Sequence, residues 1–246
     1  MYEPVLNVRG NPAVRTASGD RLLCKSPSDP QLSLASREQY RQLAATLHNA
    51  QTASGLKAIM IASAVAGEGK TLTAANLALT FAEAYERSVL LVDADLRRPS
   101  LHRLFSTGGP LPSAATAGSW TWAQHVREVT PRLAILTRER PSSAPMADLT
   151  SGRMRQLIQE ARTAVDWIVV DTPPIALLPD ASLLISAVDG AVIVVKAGST
   201  PLELVRRAVE AIAPAKRLGV VLNAATRYAR EARYGYDQYY SAIDAS

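Results

Sequence analysis

Residues 57–71 read Lys57-Ala-Ile-Met-Ile-Ala-Ser63-Ala-Val-Ala-Gly67-Glu-Gly69-Lys70-Thr71, and this stretch decides the fold. From Lys57 to Ser63 there is no polar alternation, the pattern of a strand buried on both faces. A glycine-containing turn follows, and from Thr71 to Tyr85 the apolar residues recur at helical spacing. The turn fits G-x-x-x-x-G-K-[ST], with Ala64 in place of the first glycine. Glycine lets backbone approach an anion closely, and a helix N-terminus offers free N–H groups and the positive end of a dipole. The spacing predicts a phosphate cradle. The amides of Gly67, Glu68, Gly69 and Lys70 wrap phosphates, and Leu72 sits in the same first helical turn. The Lys70 ammonium reaches the β- and γ-phosphates of a nucleoside triphosphate, expected to be ATP, and the Thr71 hydroxyl ligates Mg²⁺.

Working outward, strand and helix alternate. Strands are predicted at Ser88–Asp93, Leu133–Leu136, Trp167–Asp171, Ala191–Val195 and Leu218–Leu222. Helices are predicted at 149–163, Ala181–Ala187 (capped by Asp180) and Pro201–Ile212. Continuous apolar strands separated by helices imply an α/β P-loop NTPase, a doubly wound, mostly parallel sheet with helices on both faces. Upstream, Ser36 and Gln39 form a capping box for a helix whose Tyr40, Leu43 and Leu47 share a face. That face must pack on the domain or on a neighbouring molecule. Four regions are expected: a flexible arm at 1–33, an oligomerisation or adaptor helix at 34–50, a nucleotide-binding domain at 51–225, and a tyrosine-rich tail at 226–246.

The 246 residues are 48% hydrophobic, enough for one sizeable core. The net charge of +5 is spread along the chain. It forms no basic stripe with interleaved aromatics, so no nucleic-acid partner is expected. Cys24 is the only cysteine, which excludes an internal disulfide. No secretion leader is legible at the N-terminus. The longest apolar run, Ala181–Ala197, is interrupted by Asp189 and Gly190, so a cytoplasmic location is expected.

Aspartates close two of the strands. Asp93 ends one and is followed at spacing two by Asp95; Asp171 ends another. Beside a P-loop, such positions organise metal and the attacking group. For Asp95 a purely structural turn role stays open. Arg97 and Arg98 have two readings: contact with nucleotide or a neighbour's carboxylate, or simple solvation.

Together, Ala64 to Thr71, Leu91-Val-Asp93-Ala-Asp95-Leu-Arg-Arg-Pro99 and Val169-Val-Asp171-Thr-Pro-Pro174 resemble the three motifs of the bacterial tyrosine kinases, autokinases of capsule and exopolysaccharide synthesis. Ser151-Gly-Arg-Met154 and Gly219-Val-Val-Leu-Asn223 also look like that family. The resemblance implies that Lys70 and Thr71 hold phosphates and metal, and that Asp93 assists deprotonation of an incoming tyrosine near Mg²⁺. It implies further that Asp95 supports Asp93, Asp171 holds the metal, and Asn223 reads the adenine edge. It also implies a homo-oligomer, and a membrane polysaccharide co-polymerase as adaptor that keeps the kinase peripheral at the inner face of the membrane. Ala66 departs from the family's usual proline. Ala44 stands where the ring-forming Glu-x-x-Arg-x-x-Arg pattern, begun here by Glu38 and Arg41, places its second arginine.

Tyr228, Tyr234, Tyr236, Tyr239 and Tyr240 are five of the chain's eight tyrosines. The resemblance makes them autophosphorylation sites offered to a neighbouring subunit; an aromatic patch for a partner is the other reading. Two other functions compete: an ATP-binding scaffold of weak activity for a membrane partner, against which Lys70, Thr71, Asp93 and Asp171 argue, and a partition or septum-site ATPase. Those proteins carry a signature lysine early in the P-loop, where this chain has Val65, and lack a tyrosine-rich tail.

Overall fold

The structure is a computed structural model that describes residues 34–105, 126–176 and 179–225. The predicted arm and the tyrosine-bearing tail lie outside the described residues. The chain runs α1 (Leu34–Ser54), β1 (Ala58–Ser63), α2 (Lys70–Glu83), β2 (Val89–Asp93), α3 (Leu101–Leu104), β3 (Val126–Thr130), β4 (Leu133–Leu136), α4 (Pro145–Thr150), α5 (Arg153–Ala161), β5 (Trp167–Asp171), α6 (Pro179–Leu184), β6 (Gly190–Lys196), α7 (Leu202–Glu210) and β7 (Arg217–Asn223).

The seven strands form one sheet in the order β3-β4-β2-β5-β1-β6-β7. All neighbours pair in parallel except β3 with β4. Side chains alternate across the pleat, so each apolar strand feeds two cores. Ile59, Ile61, Leu91, Ile135, Val169 and Val194 face α1, α2 and α3. Met60, Leu90, Val92, Ile168, Val170 and Ile193 face the helices α4 to α7. Burial on both faces explains why β1, β2 and β5 read as unbroken apolar runs. The doubly wound architecture is the one the sequence predicts.

The α1 helix belongs to the first of these layers. Ala44 and Leu47 are buried against α2, and the Gln51 amide donates to the Asp166 carbonyl at 3.0 Å. The predicted boundary at residue 50 therefore falls inside a helix that runs to Ser54, and Ser36 lies within its first turn instead of capping it. The buried place of Ala44 leaves no room for an arginine without desolvating a charge. Beneath α2, Phe81 stacks on Trp167 with ring centroids 4.3 Å apart.

Three further differences have local causes. The helix predicted at 149–163 is two helices, because Gly152 takes φ +77° between them. The β3 strand is short and polar (Val-Arg-Glu-Val-Thr) and gave no apolar signal; its turn into β4 is closed by the Leu133 N–H donating to the Thr130 hydroxyl at 3.0 Å. Asp180, predicted as a helix cap, instead lies within the first turn of α6 and pairs with Arg97.

At the opposite end of the sheet from the phosphate loop, Asp189 splits the long apolar run and fastens the start of β1. Its carboxylate accepts the Lys57 and Ala58 N–H groups at 2.8 Å each and a two-pronged contact from Arg162. Burial alone would raise its pKa, but these donors hold the carboxyl below the usual carboxylate range. A folded value below the unfolded one stabilises above the unfolded pKa of about 3.9, and that stabilisation fades as pH falls. Asp189→Ala, which strands two backbone donors, is expected to cost roughly 1.5–3 kcal/mol in chemical denaturation at pH 7. The deficit should shrink below about pH 4; an equal deficit at both pH values would contradict the account.

Candidate functional site

The C-terminal ends of β1, β2 and β5 lie side by side, with Asp93 in register with Asp171 and Asp171 in register with Ile61. Everything that follows these strands is therefore gathered at one edge of the sheet. After β1 the chain turns through residues 64–69 into α2. Gly67 and Gly69 take φ +83° and +92°, conformations that disfavour any side chain. A Cβ on Gly69 would also lie 2.1 Å from the Asn223 amide nitrogen. Asn223, at the end of β7, donates this amide to the Glu68 carbonyl at 2.8 Å.

Lys70 opens α2 and points its ammonium at carboxylates: Asp95 Oδ2 at 3.5 Å and Asp171 Oδ1 at 3.8 Å. The Thr71 hydroxyl lies 3.4 Å from Lys70 Nζ and 3.4 Å from the Ser100 hydroxyl. The post-β5 segment is held against the phosphate loop, since the Ile175 N–H donates to the Ser63 carbonyl at 2.9 Å and the Thr172 hydroxyl to the Ile61 carbonyl at 3.0 Å.

Asp93 uses one oxygen and leaves the other free. Its Oδ2 accepts the N–H groups of Ser100 (2.8 Å) and Leu101 (3.0 Å) and the Thr137 hydroxyl (3.1 Å), while Oδ1 is buried without a hydrogen-bond partner. Neither oxygen of the fully buried Asp171 accepts a hydrogen bond within 3.5 Å, although the Lys70 ammonium stands 3.8 Å from Oδ1 and the Thr71 hydroxyl is close enough to favour the charged carboxylate. Burial pushes Asp171 up to about 7, opposed by the Lys70 ammonium and reinforced by the charge on Asp93. Burial likewise raises Asp93, against the pull of its Leu101 and Ser100 N–H donors. Orphaned buried carboxylate oxygens are costly unless something positive meets them. Three of them, beside a hydroxyl and an ammonium, fit a divalent cation that arrives with phosphate oxygens.

The structure thus brings Lys70, Thr71, Asp93, Asp95 and Asp171 together around the loop formed by Gly67, Glu68 and Gly69, and seats Asn223 upon that loop. Leu72 is half exposed on the first turn of α2. Asp95 has a local role as well as its approach to Lys70, because its Oδ1 accepts the Arg98 N–H at 3.0 Å and closes the turn after β2. Both arginines are exposed, and Arg97 is bound by Asp180 of its own chain at 2.6 Å. Sequence reasoning overlooked Ser100 and Thr137, the side chains that fix Asp93. Ser100 directly follows the second motif, a usable signal; Thr137 follows a short strand and gave none.

Comparison with known proteins agrees with this geometry. The family model of the ParA group described as NUBPL iron-transfer P-loop NTPase matches residues 56–239. Iron–sulfur ligation uses several thiolates, and the single cysteine, Cys24, lies outside the matched range, so this match speaks for the P-loop fold and its nucleotide site. Tyrosine-protein kinase YwqD of Bacillus subtilis (strain 168) is 37% identical over 204 residues, covering 81% of this chain and 85% of that protein. The chain belongs to the bacterial tyrosine kinases. The solved kinase domain of the Escherichia coli tyrosine kinase ETK superposes on this kinase with a TM-score of 0.71 at 28% identity, over 85% of this chain and 81% of that one. The succinoglycan biosynthesis transport protein ExoP of Rhizobium meliloti (strain 1021) is 35% identical over 196 residues, which are 76% of this chain but only 24% of that protein.

Two measurements check the site. In Gly69→Ala, strained backbone and collision with Asn223 should abolish nucleotide binding in calorimetry; affinity within twofold of the parent would contradict the described loop. For Asp171, a folded pKa above the unfolded one means the folded chain carries the extra proton. Stability is then fully present below about pH 4 and is lost as pH rises through about 7. In chelator, the kinase should therefore melt lower at pH 8 than at pH 5. Asp171→Asn should flatten this profile and melt higher than the parent at pH 8, by roughly 5 °C. A parent whose melting temperature climbs across this interval would contradict the described burial.

Proposed function

We propose that this kinase transfers the γ-phosphoryl group of ATP, with Mg²⁺, to Tyr228, Tyr234, Tyr236, Tyr239 and Tyr240 of a neighbouring copy. The observation that carries the reading is the set of buried oxygens on Asp93 and Asp171 that accept no hydrogen bond, with Lys70 3.8 Å from Asp171 Oδ1. The Gly67–Lys70 amides and the Lys70 ammonium bind and orient the triphosphate. Thr71, Asp93 and Asp171 would hold the magnesium ion, which when bound neutralises charge on the phosphate oxygens. Asp93, fixed by Ser100, Leu101 and Thr137, also assists deprotonation of the phenol beside the ion. A phenol with a pKa near 10 needs alignment and a nearby carboxylate more than a strong base. Lys70, beside Asp95 and Asp171, reaches the β- and γ-phosphates in this reading.

In this reading the kinase serves capsule or exopolysaccharide synthesis and works beside a membrane-embedded partner. The name of ExoP, a biosynthesis transport protein that shares this domain within a much longer chain, supports that setting. Among the described residues no helix is long and apolar enough to cross a membrane; in this reading a membrane-embedded partner supplies the attachment. Asn223 contacts the adenine edge in this reading, and the copies assemble so that one tail reaches the next site.

Purified kinase given ATP and Mg²⁺, with and without a candidate membrane partner, should gain phosphotyrosine by immunoblot and mass spectrometry. Lys70→Met and a chain truncated after Ala225 should gain none. Full ATP hydrolysis without phosphotyrosine under every condition would favour the partition-type ATPase instead.

A further inference from the structure

Glu68 is an acidic residue inside a loop that is to hold phosphates, a placement that electrostatics alone disfavours. Yet it is 2% exposed and its carboxylate is fully occupied. Oε2 accepts the Val65 N–H at 2.7 Å, within the loop itself. Oε1 accepts the Lys196 N–H at 3.2 Å, at the end of β6, and the Thr200 hydroxyl just before α7. The carbonyl of the same residue receives the Asn223 amide, and the Asn223 carbonyl in turn accepts the Ala197 N–H at 2.8 Å. One residue of the phosphate loop is thus fastened to three separate segments: the loop's own start, the β6–α7 turn and the end of β7.

A carboxylate suits this junction because it accepts several donors at once and donates none. Glutamine offers a single acceptor oxygen and would turn an NH₂ group toward N–H or O–H donors. Binding sites gain affinity when their donors are fixed before the ligand arrives. An anion-binding loop with two glycines at positive φ is otherwise free to collapse.

We propose that the Glu68 side chain is a positioning residue for nucleotide binding. Through Thr200, Lys196 and Val65 it holds the phosphate loop in its binding shape without touching the nucleotide. This rests on the nucleotide-binding part of the function proposed above and is independent of which hydroxyl receives the phosphate. Because the bracing reaches Asn223, the loop's shape also depends on β7, the strand that leads into residues 226–246.

The test is calorimetry of Mg-ATP binding to the full chain, with steady-state kinetics and melting curves for each variant. Glu68→Gln and Thr200→Val are each expected to weaken affinity about tenfold, as loss of a hydrogen bond to a charged group does. Thr200→Ser should match the parent. The double variant should be no more than about threefold weaker than the worse single, since both changes break one junction. At saturating ATP, kcat should stay within about threefold while KM rises, because only ground-state and transition-state binding shared by both is lost. Affinity of Thr200→Val within twofold of the parent, multiplicative losses in the double variant, or a fall in kcat at unchanged affinity would each overturn the proposal. Should Glu68→Gln fail to fold, the comparison of Thr200→Val with Thr200→Ser decides alone. Affinities that follow the expected pattern in a protein that never phosphorylates tyrosine would uphold this inference and sink only the kinase reading.

Discussion

Three carboxylates and one ammonium share a dry corner at the end of the sheet. Asp93, Asp95 and Asp171 are all buried, and Lys70 is the cation that approaches two of them. Burial above all, and then the surplus of negative charge, makes Asp93 and Asp171 hold protons more tightly than free carboxylates do, and oxygens of both lack a hydrogen bond. In the function proposed above, a divalent cation with a polyphosphate offsets this charge. Function here follows from a local electrostatic deficit that the fold keeps in place.

The parallel sheet is what keeps it there. Register places Asp93 and Asp171 side by side at the ends of adjacent strands, and the apolar faces of those strands are locked between two helical layers. Neither carboxylate can retreat toward solvent without unpairing its strand. On the far edge of the same strands, Asp189 and Arg162 hold the start of β1. The fold is fastened at one end of the sheet and gathers its buried charges at the other.

The parts legible in the sequence were those with a period or a motif. β1, β2 and β5 announce themselves as apolar runs, and the phosphate loop by Gly67, Gly69, Lys70 and Thr71. Asp93 and Asp171 were legible because each ends such a run. Features set by tertiary contact were not. The burial of Ala44 depends on where α2 lies, and the β3 strand exists because β4 offers it an edge. Asp180 reads as a cap by position, but Arg97 from a distant loop claims its carboxylate. Thr137 and Thr200 carry no pattern at all; only the folded chain brings them to Asp93 and Glu68.

If the buried oxygens of Asp93 and Asp171 that accept no hydrogen bond serve a metal-bound triphosphate, ATP affinity must depend on both Mg²⁺ and Asp171. The most direct measurement is ATP affinity by calorimetry with Mg²⁺ and with chelator, in the parent and in Asp171→Asn. The account predicts that Mg²⁺ tightens binding to the parent at least tenfold and has little effect on the variant. Equal affinity with and without Mg²⁺ in the parent would contradict it.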